Sequence, residues 1–173
     1  HAKVEAQAIS EVFARATVIE EKAASVAVKK LIEAESPDVI HFATHAVIES
    51  QYGELSRLAF HHDDLHADEI AALRLHARLI TLSACHSALG QLHRGEENIG
   101  LRQAFFTAGA AAILSTLWAI EDDSAPHFMK DFYCALTKEK LSAAAALTNT
   151  QRKWIAAGKS LREWGGYVLH GVP

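Results

Sequence analysis

Hydrophobic positions along this chain follow two periods. Val4, Ala8, Ile9, Val12 and Phe13 return every three or four residues, which predicts an amphipathic helix over residues 3–14. Val26, Ala27 and Leu31 repeat the pattern over residues 23–34. Ser36-Pro37-Asp38 ends it, because the residue before a proline disfavours the α region. Three other stretches are nearly continuous in apolar or β-branched residues: 39–44 (VIHFAT), 79–84 (LITLSA) and 111–118 (AAILSTLW). Runs of that kind read as strands buried on both faces of a parallel sheet. Ala16-Thr17-Val18-Ile19 is a further short strand by the same reasoning. With the helix after it and the strand at 39–44, it implies a right-handed parallel crossover. Residues 101–108, 126–136 and 141–157 read as helices, and Tyr167-Val168-Leu169 as a last strand. Between 46 and 68 the pattern turns polar and irregular. Residues 55–60 read there as one arm of a hairpin turning at 61–64, and Asp68 as the cap of a short helix over 69–73. The whole is an α/β chain of three layers, with a mostly parallel central sheet and helices on both faces. It has no internal repeat or linker.

Two of the strands end in reactive side chains. Residues 39–44 run into His45-Ala46, and 79–84 into Cys85-His86. Sites in open α/β sheets lie beyond the carboxyl ends of strands. If these two strands are neighbours, an imidazole and a thiol face each other across one crevice, the arrangement of nucleophilic catalysis. A cysteine attacks as its thiolate, and a histidine can take the proton. The bland alternative for Cys85 is a small buried hydrophobe, but its place at a strand end opposite a histidine argues for the nucleophile. Cys134, inside DFYCAL, is core filler, and His41, within its strand, is a hydrogen-bonded core histidine. His86 either lines the pocket or lies on the surface, since strand alternation turns it away from Cys85. Residues 86–98, with Gly90 and Gly95, form a loop beyond the cysteine strand, where function concentrates.

Composition narrows the classes. At 173 residues the chain is one domain with room for a full core. A net charge of −4 argues against a nucleic-acid partner, which needs clustered Lys and Arg. The longest apolar run, 108–114, is too short to span a membrane. Two cysteines without a CxxC pair fit a reducing compartment. The chain begins at His1 and carries no signal-peptide pattern, so it reads as a domain cut from a larger cytoplasmic protein. Eleven histidines raise a metal reading, with His61, His62, Asp63, Asp64 and His66 as the densest group. No HExxH or CxxC…HxxxH spacing accompanies them. A solvated turn is the expectation and no metal or other cofactor is called for. A metal-dependent hydrolase built on residues 61–66 stands as an alternative.

Taken in order, HFATHA, LSACHSALGQLHRGEENIGL, AGAAAILSTLWAIEDDSAPHFMKDFY and WGGYVLHG resemble the CHAT domain. That is the caspase-like peptidase domain often found downstream of tetratricopeptide repeats. The resemblance runs from about residue 6 to the C-terminus. It implies the caspase–separase fold and a Cys–His dyad, falling here on Cys85 and His45, with the backbone N–H groups of Cys85 and Ala46 as oxyanion donors. The family reads His-Gly where this chain has His45-Ala46; alanine keeps the N–H, but its Cβ is penalised if the position needs positive φ. Asp122, in LWAIED, matches the acid of the pocket that receives the residue before the scissile bond, which would favour Arg or Lys there. Capping of the next helix by Asp122, Asp123 or Ser124 is the competing role. Trp118 and His86 complete the pocket, and Arg94, in the loop with Glu96-Glu97, is a conceivable self-cleavage point. The implied function is a cysteine endopeptidase in bacterial regulation or defence, acting on protein or peptide substrates under a regulatory partner such as tetratricopeptide repeats. A catalytically silent interaction module is the alternative, and Ala46 is the residue that favours it.

Overall fold

A computed structural model describes residues 2–19, 24–49, 52, 55–83, 99–121 and 123–172. The central sheet has four strands in the order β1-β5-β6-β7. β1 (Val39–Phe42), β5 (Leu79–Leu82) and β6 (Ala112–Thr116) run parallel, and β7 (Tyr167–Gly171) is antiparallel to β6. A second, antiparallel sheet of β2 (His45–Val47), β3 (Arg57–Ala59) and β4 (Asp64–His66) follows β1 directly. The helices are α1 (Ala2–Ser10), α2 (Ser25–Glu35), α3 (Ala67–Ala71), α4 (Ile99–Ala108), α5 (Ala125–Thr137), α6 (Ala143–Ala156) and α7 (Leu161–Trp164).

Period-two alternation divides the core in two. Ile80, Leu82 and Ile113 face α2, α3, α4 and the small sheet, where Ile32, Leu58, Leu65, Ile70 and Phe105 fill the interior. Leu79, Ala112 and Leu114 face the other way, onto α1, α5 and α6, through Ile9, Phe128, Phe132, Leu147 and Trp154. The expected three layers are therefore present, with a mostly parallel sheet between them. Burying each large side chain in such a layer contributes ~1.5–3 kcal/mol before conformational entropy is subtracted. Gly109 closes α4 at φ 108°, and a Cβ there would collide with the Leu75 carbonyl oxygen.

The hairpin expected around 61–64 is present as β3 and β4, and residues 167–171 form the last strand. Other boundaries moved. Residues 16–19 are not a strand: Val18 and Ile19 are 51% and 38% exposed, and no strand among the described residues pairs with them. β-branched residues express their preference only against a neighbouring strand, so the crossover expected from 16–19 does not form. The short helix spans 67–71 and not 69–73, because the Glu69 carboxylate reaches back to accept the His66 N–H at 3.1 Å. Asp68 thus sits inside the first turn instead of capping it. β1 stops at Phe42, which gives His45 to the second sheet.

Candidate functional site

The carboxyl ends of β1 and β5 lie side by side. Their parallel register pairs Phe42 with Leu82, and the Ser83 N–H continues the ladder to the Phe42 carbonyl at 3.0 Å. His45 follows three residues after Phe42, and Cys85 three residues after Leu82. Of the residues expected at the site, His45, Ala46 and Trp118 are described; Cys85, His86 and Asp122 lie outside the described residues, as do Arg94, Glu96 and Glu97.

His45 opens β2 and is exposed, whereas the side chain of its neighbour Ala46 is buried among the core residues beneath the small sheet. Alternation thus anchors the strand through Ala46 and turns His45 outward. Thr44 secures the bend between the sheets by donating its hydroxyl to the Ala59 carbonyl. The direction of the Ala46 peptide follows from the ladder. In the β3–β4 register, the Phe60 N–H bonds to Asp63 O and the Ala67 N–H to Ser56 O, each at 2.9 Å. Hydrogen-bonded pairs alternate in an antiparallel ladder, so Leu58 turns its peptide groups towards Leu65. Leu58 is also the partner of Ala46 across β2–β3. The Ala46 N–H therefore points the other way, off the outer edge of β2. The two described non-glycine residues with positive φ are Ser36 and Lys140, so Ala46 is not in the left-handed region and its Cβ carries no penalty.

Trp118 stands just past β6, half-buried. Its indole N–H donates to the Arg162 carbonyl at 3.1 Å, and the ring lies so close over Gly166 that a Cβ there would fall 2.9 Å from Cε2. The residues flanking Asp122 lead into α5. Ser124 stands at the cap position, but its hydroxyl donates backward to the Glu121 carbonyl at 2.9 Å instead of capping the helix. Glu121, Asp123 and His127 line a cleft of about 390 Å³ together with Trp154, Lys153 and Lys159. Lys153 is paired with Asp131 at 2.6 Å and Lys159 with Glu163 at 3.3 Å.

The 61–66 group has other employment. Asp63 accepts the Ser25 N–H at 2.9 and 3.0 Å and the Ser25 hydroxyl at 2.7 Å, which caps α2 from a distant turn. Those bonds, led by the Ser25 hydroxyl, hold its carboxyl below the usual range. Asp64 accepts from Arg57 Nε at 2.8 Å, and His61 and His62 meet edge to face in solvent. Among the described residues no group of three or more His, Cys, Asp or Glu converges as a metal site.

Beneath the edge, His41 is the hydrogen-bonded core histidine expected from its place in the strand. Its partners, Glu5 and Tyr133, escaped the sequence reading. The signal for Glu5 was a carboxylate on the apolar stripe of α1, one helical turn before Ile9.

Comparison with family models decides the relationship: the model described as the CHAT domain matches residues 1–172. The chain belongs to the CHAT domain family. Comparison with curated proteins gives no match. The CHAT domain is related to caspase-like cysteine peptidases, and the three layers with their mostly parallel sheet accord with that fold. No helix among the described residues of this CHAT domain is long and apolar enough to cross a membrane.

Proposed function

We propose that this CHAT domain is a cysteine endopeptidase in which Cys85 attacks the peptide carbonyl and His45 transfers the proton. The observation that supports it is the parallel pairing of β1 with β5, which sets the carboxyl ends of the two strands, at Phe42 and Leu82, side by side. His45 takes the Cys85 proton, and the thiolate adds to the carbonyl carbon. The tetrahedral oxyanion is held by the N–H groups of Cys85 and Ala46, where one such donor is worth ~3–4 kcal/mol. His45 then protonates the leaving amine as the carbon–nitrogen bond breaks. Water, deprotonated by His45, cleaves the thioester and restores the thiol.

The outward direction of the Ala46 N–H and its ordinary backbone conformation favour a working donor, and so count against a silent module. Asp122 supplies the charge of a pocket for Arg or Lys, with Trp118 and His86 along its wall. The substrate is a protein or peptide, delivered by a regulatory partner such as tetratricopeptide repeats in a cytoplasmic bacterial system of regulation or defence.

Labelling with peptidyl electrophiles that carry Arg or Leu before the warhead tests this reading, scored by intact mass. One adduct is expected on the wild type, absent in Cys85→Ala, at least ten-fold slower in His45→Ala, and formed faster with Arg. An adduct that survives Cys85→Ala, or none on the wild type, overturns the peptidase. Preference for Leu removes Asp122 from the pocket alone.

A further inference from the structure

A chain of polar side chains crosses the core directly below the edge where β1 and β5 end. Tyr133 of α5, fully buried, sets its hydroxyl 2.7 Å from Thr81 Oγ1 on β5 and 3.1 Å from His41 Nδ1 on β1. His41 Nε2 lies 3.1 Å from Glu5 Oε1 on α1, a carboxylate only 8% exposed. His41 and Thr81 are partners in the β1–β5 register, so a single phenol oxygen ties the two strands at one rung. In sequence, His41 stands four positions before His45 and Thr81 four before Cys85.

The chain can satisfy every member at once. Burial holds the phenol protonated. If Thr81 donates to the phenol oxygen and the phenol to His41 Nδ1, the Nε2–H of the imidazole is left for Glu5. Apolar packing would hold two strands together as well, and replacing a buried polar set by hydrophobic side chains is often neutral or stabilising. What the polar set adds is direction: fixed lengths and angles at one rung. Rings already hold Tyr133 in place, with Phe13 and Phe132 at centroid distances of 5.2 and 5.1 Å, so the hydroxyl is not needed to seat the side chain.

We propose that Tyr133, with His41, Thr81 and Glu5, is a positioning device for the dyad. It fixes the spacing and relative height of the β1 and β5 ends, and through Glu5 it makes α1 part of the foundation of the site. The inference rests on the reading of His45 and Cys85 as partners. A misplacement of ~1 Å between reacting groups costs on the order of a hundred-fold in rate, so a fixed rung below them has a large lever.

The test is the pH profile of Cys85 alkylation by iodoacetamide, followed by peptide mass so that Cys134 is scored separately, with thermal unfolding in parallel. Imidazole pairing makes the wild-type thiol react about ten-fold faster at pH ~6 than the thiol of His45→Ala. Tyr133→Phe and Thr81→Val are expected to fall most of the way to the His45→Ala profile while remaining folded. Glu5→Gln, which keeps an acceptor on His41, is expected to fall less. If Tyr133→Phe unfolds at a lower temperature yet keeps the wild-type profile, the chain is only structural and the proposal fails with the dyad intact. If wild type and His45→Ala share one profile, the dyad itself fails and the positioning role goes with it. Should Tyr133→Phe not fold, Thr81→Val reads the same rung from the opposite strand and decides.

Discussion

Ala46 stands where the related motif has glycine, and the sequence alone made that the weakest point of the site. Its backbone conformation depends on β2 pairing with β3, a contact that no local pattern announces. Once paired, the residue is extended, its methyl is buried and its N–H leaves the sheet edge. Ala46→Gly is therefore expected to leave the rate of Cys85 labelling within about two-fold of wild type, since the donor is unchanged. It should cost about 1–2 kcal/mol in urea unfolding, from a lost buried methyl and a freer unfolded chain. A ten-fold gain in labelling would mean instead that the methyl holds the site off. His41, by contrast, was legible, because a histidine inside an apolar strand has to find partners in the core. Which partners it finds was not, since Glu5 lies 36 positions before it on α1 and Tyr133 lies 92 after it on α5.

At the scale of elements, periodicity served best where neighbours on both faces enforce it. β5 and β6 were legible because every residue in them is buried. Residues 16–19 misled because their composition suits a strand but no neighbour among the described residues completes the ladder. The His-rich turn was legible as a turn but not for what it does. Asp63 joins it to the start of α2 across 38 positions, and Glu69 of α3 meets Lys29 of α2 at 2.6 Å. Asp63→Asn tests the first of these joints. Its native carboxyl sits below the ordinary 3.8, so the unfolded chain takes up the proton at higher pH than the fold does. The stabilisation is thus complete above the unfolded value and is lost as pH falls through the folded one. Asp63→Asn is expected to melt below wild type at neutral pH, with the two curves converging in strong acid. A gap that stays constant with pH would assign the effect to shape and not to charge.

Over the whole molecule, the two cores meet at the sheet, and its β7 border holds a half-buried histidine. His170 on β7 receives Arg102 of α4, with Nη1 3.1 Å from Nδ1 and 2.9 Å from Nε2. Burial first, and then the guanidinium charge, push the imidazole below its ordinary 6.5. The unfolded chain therefore binds this proton more readily than the fold does. The stability is fully present above the unfolded value and drains away as pH falls below it. His170→Gln should flatten part of the fall in melting temperature between about pH 7 and about pH 5; an unchanged slope would exclude His170 as its source. The three-layer class was legible at this scale because the order of strands and helices constrains it. The place of His45 at the start of the second sheet was not, because it depends on β1 stopping at Phe42 rather than carrying on to His45.

The anchoring of Trp118 has an optical consequence. Each of the three indoles donates its N–H within the protein: Trp118 to Arg162, Trp154 to Asp131 and Trp164 to Lys159. Trp118 stands just past β6, Trp154 on α6 and Trp164 on α7. Intrinsic fluorescence is therefore a one-sided signal. A shift in emission reports on the border around β7, the start of α5 and the proposed pocket wall at Trp118, while a rearrangement confined to β2 is read only where it moves Trp118 off Gly166.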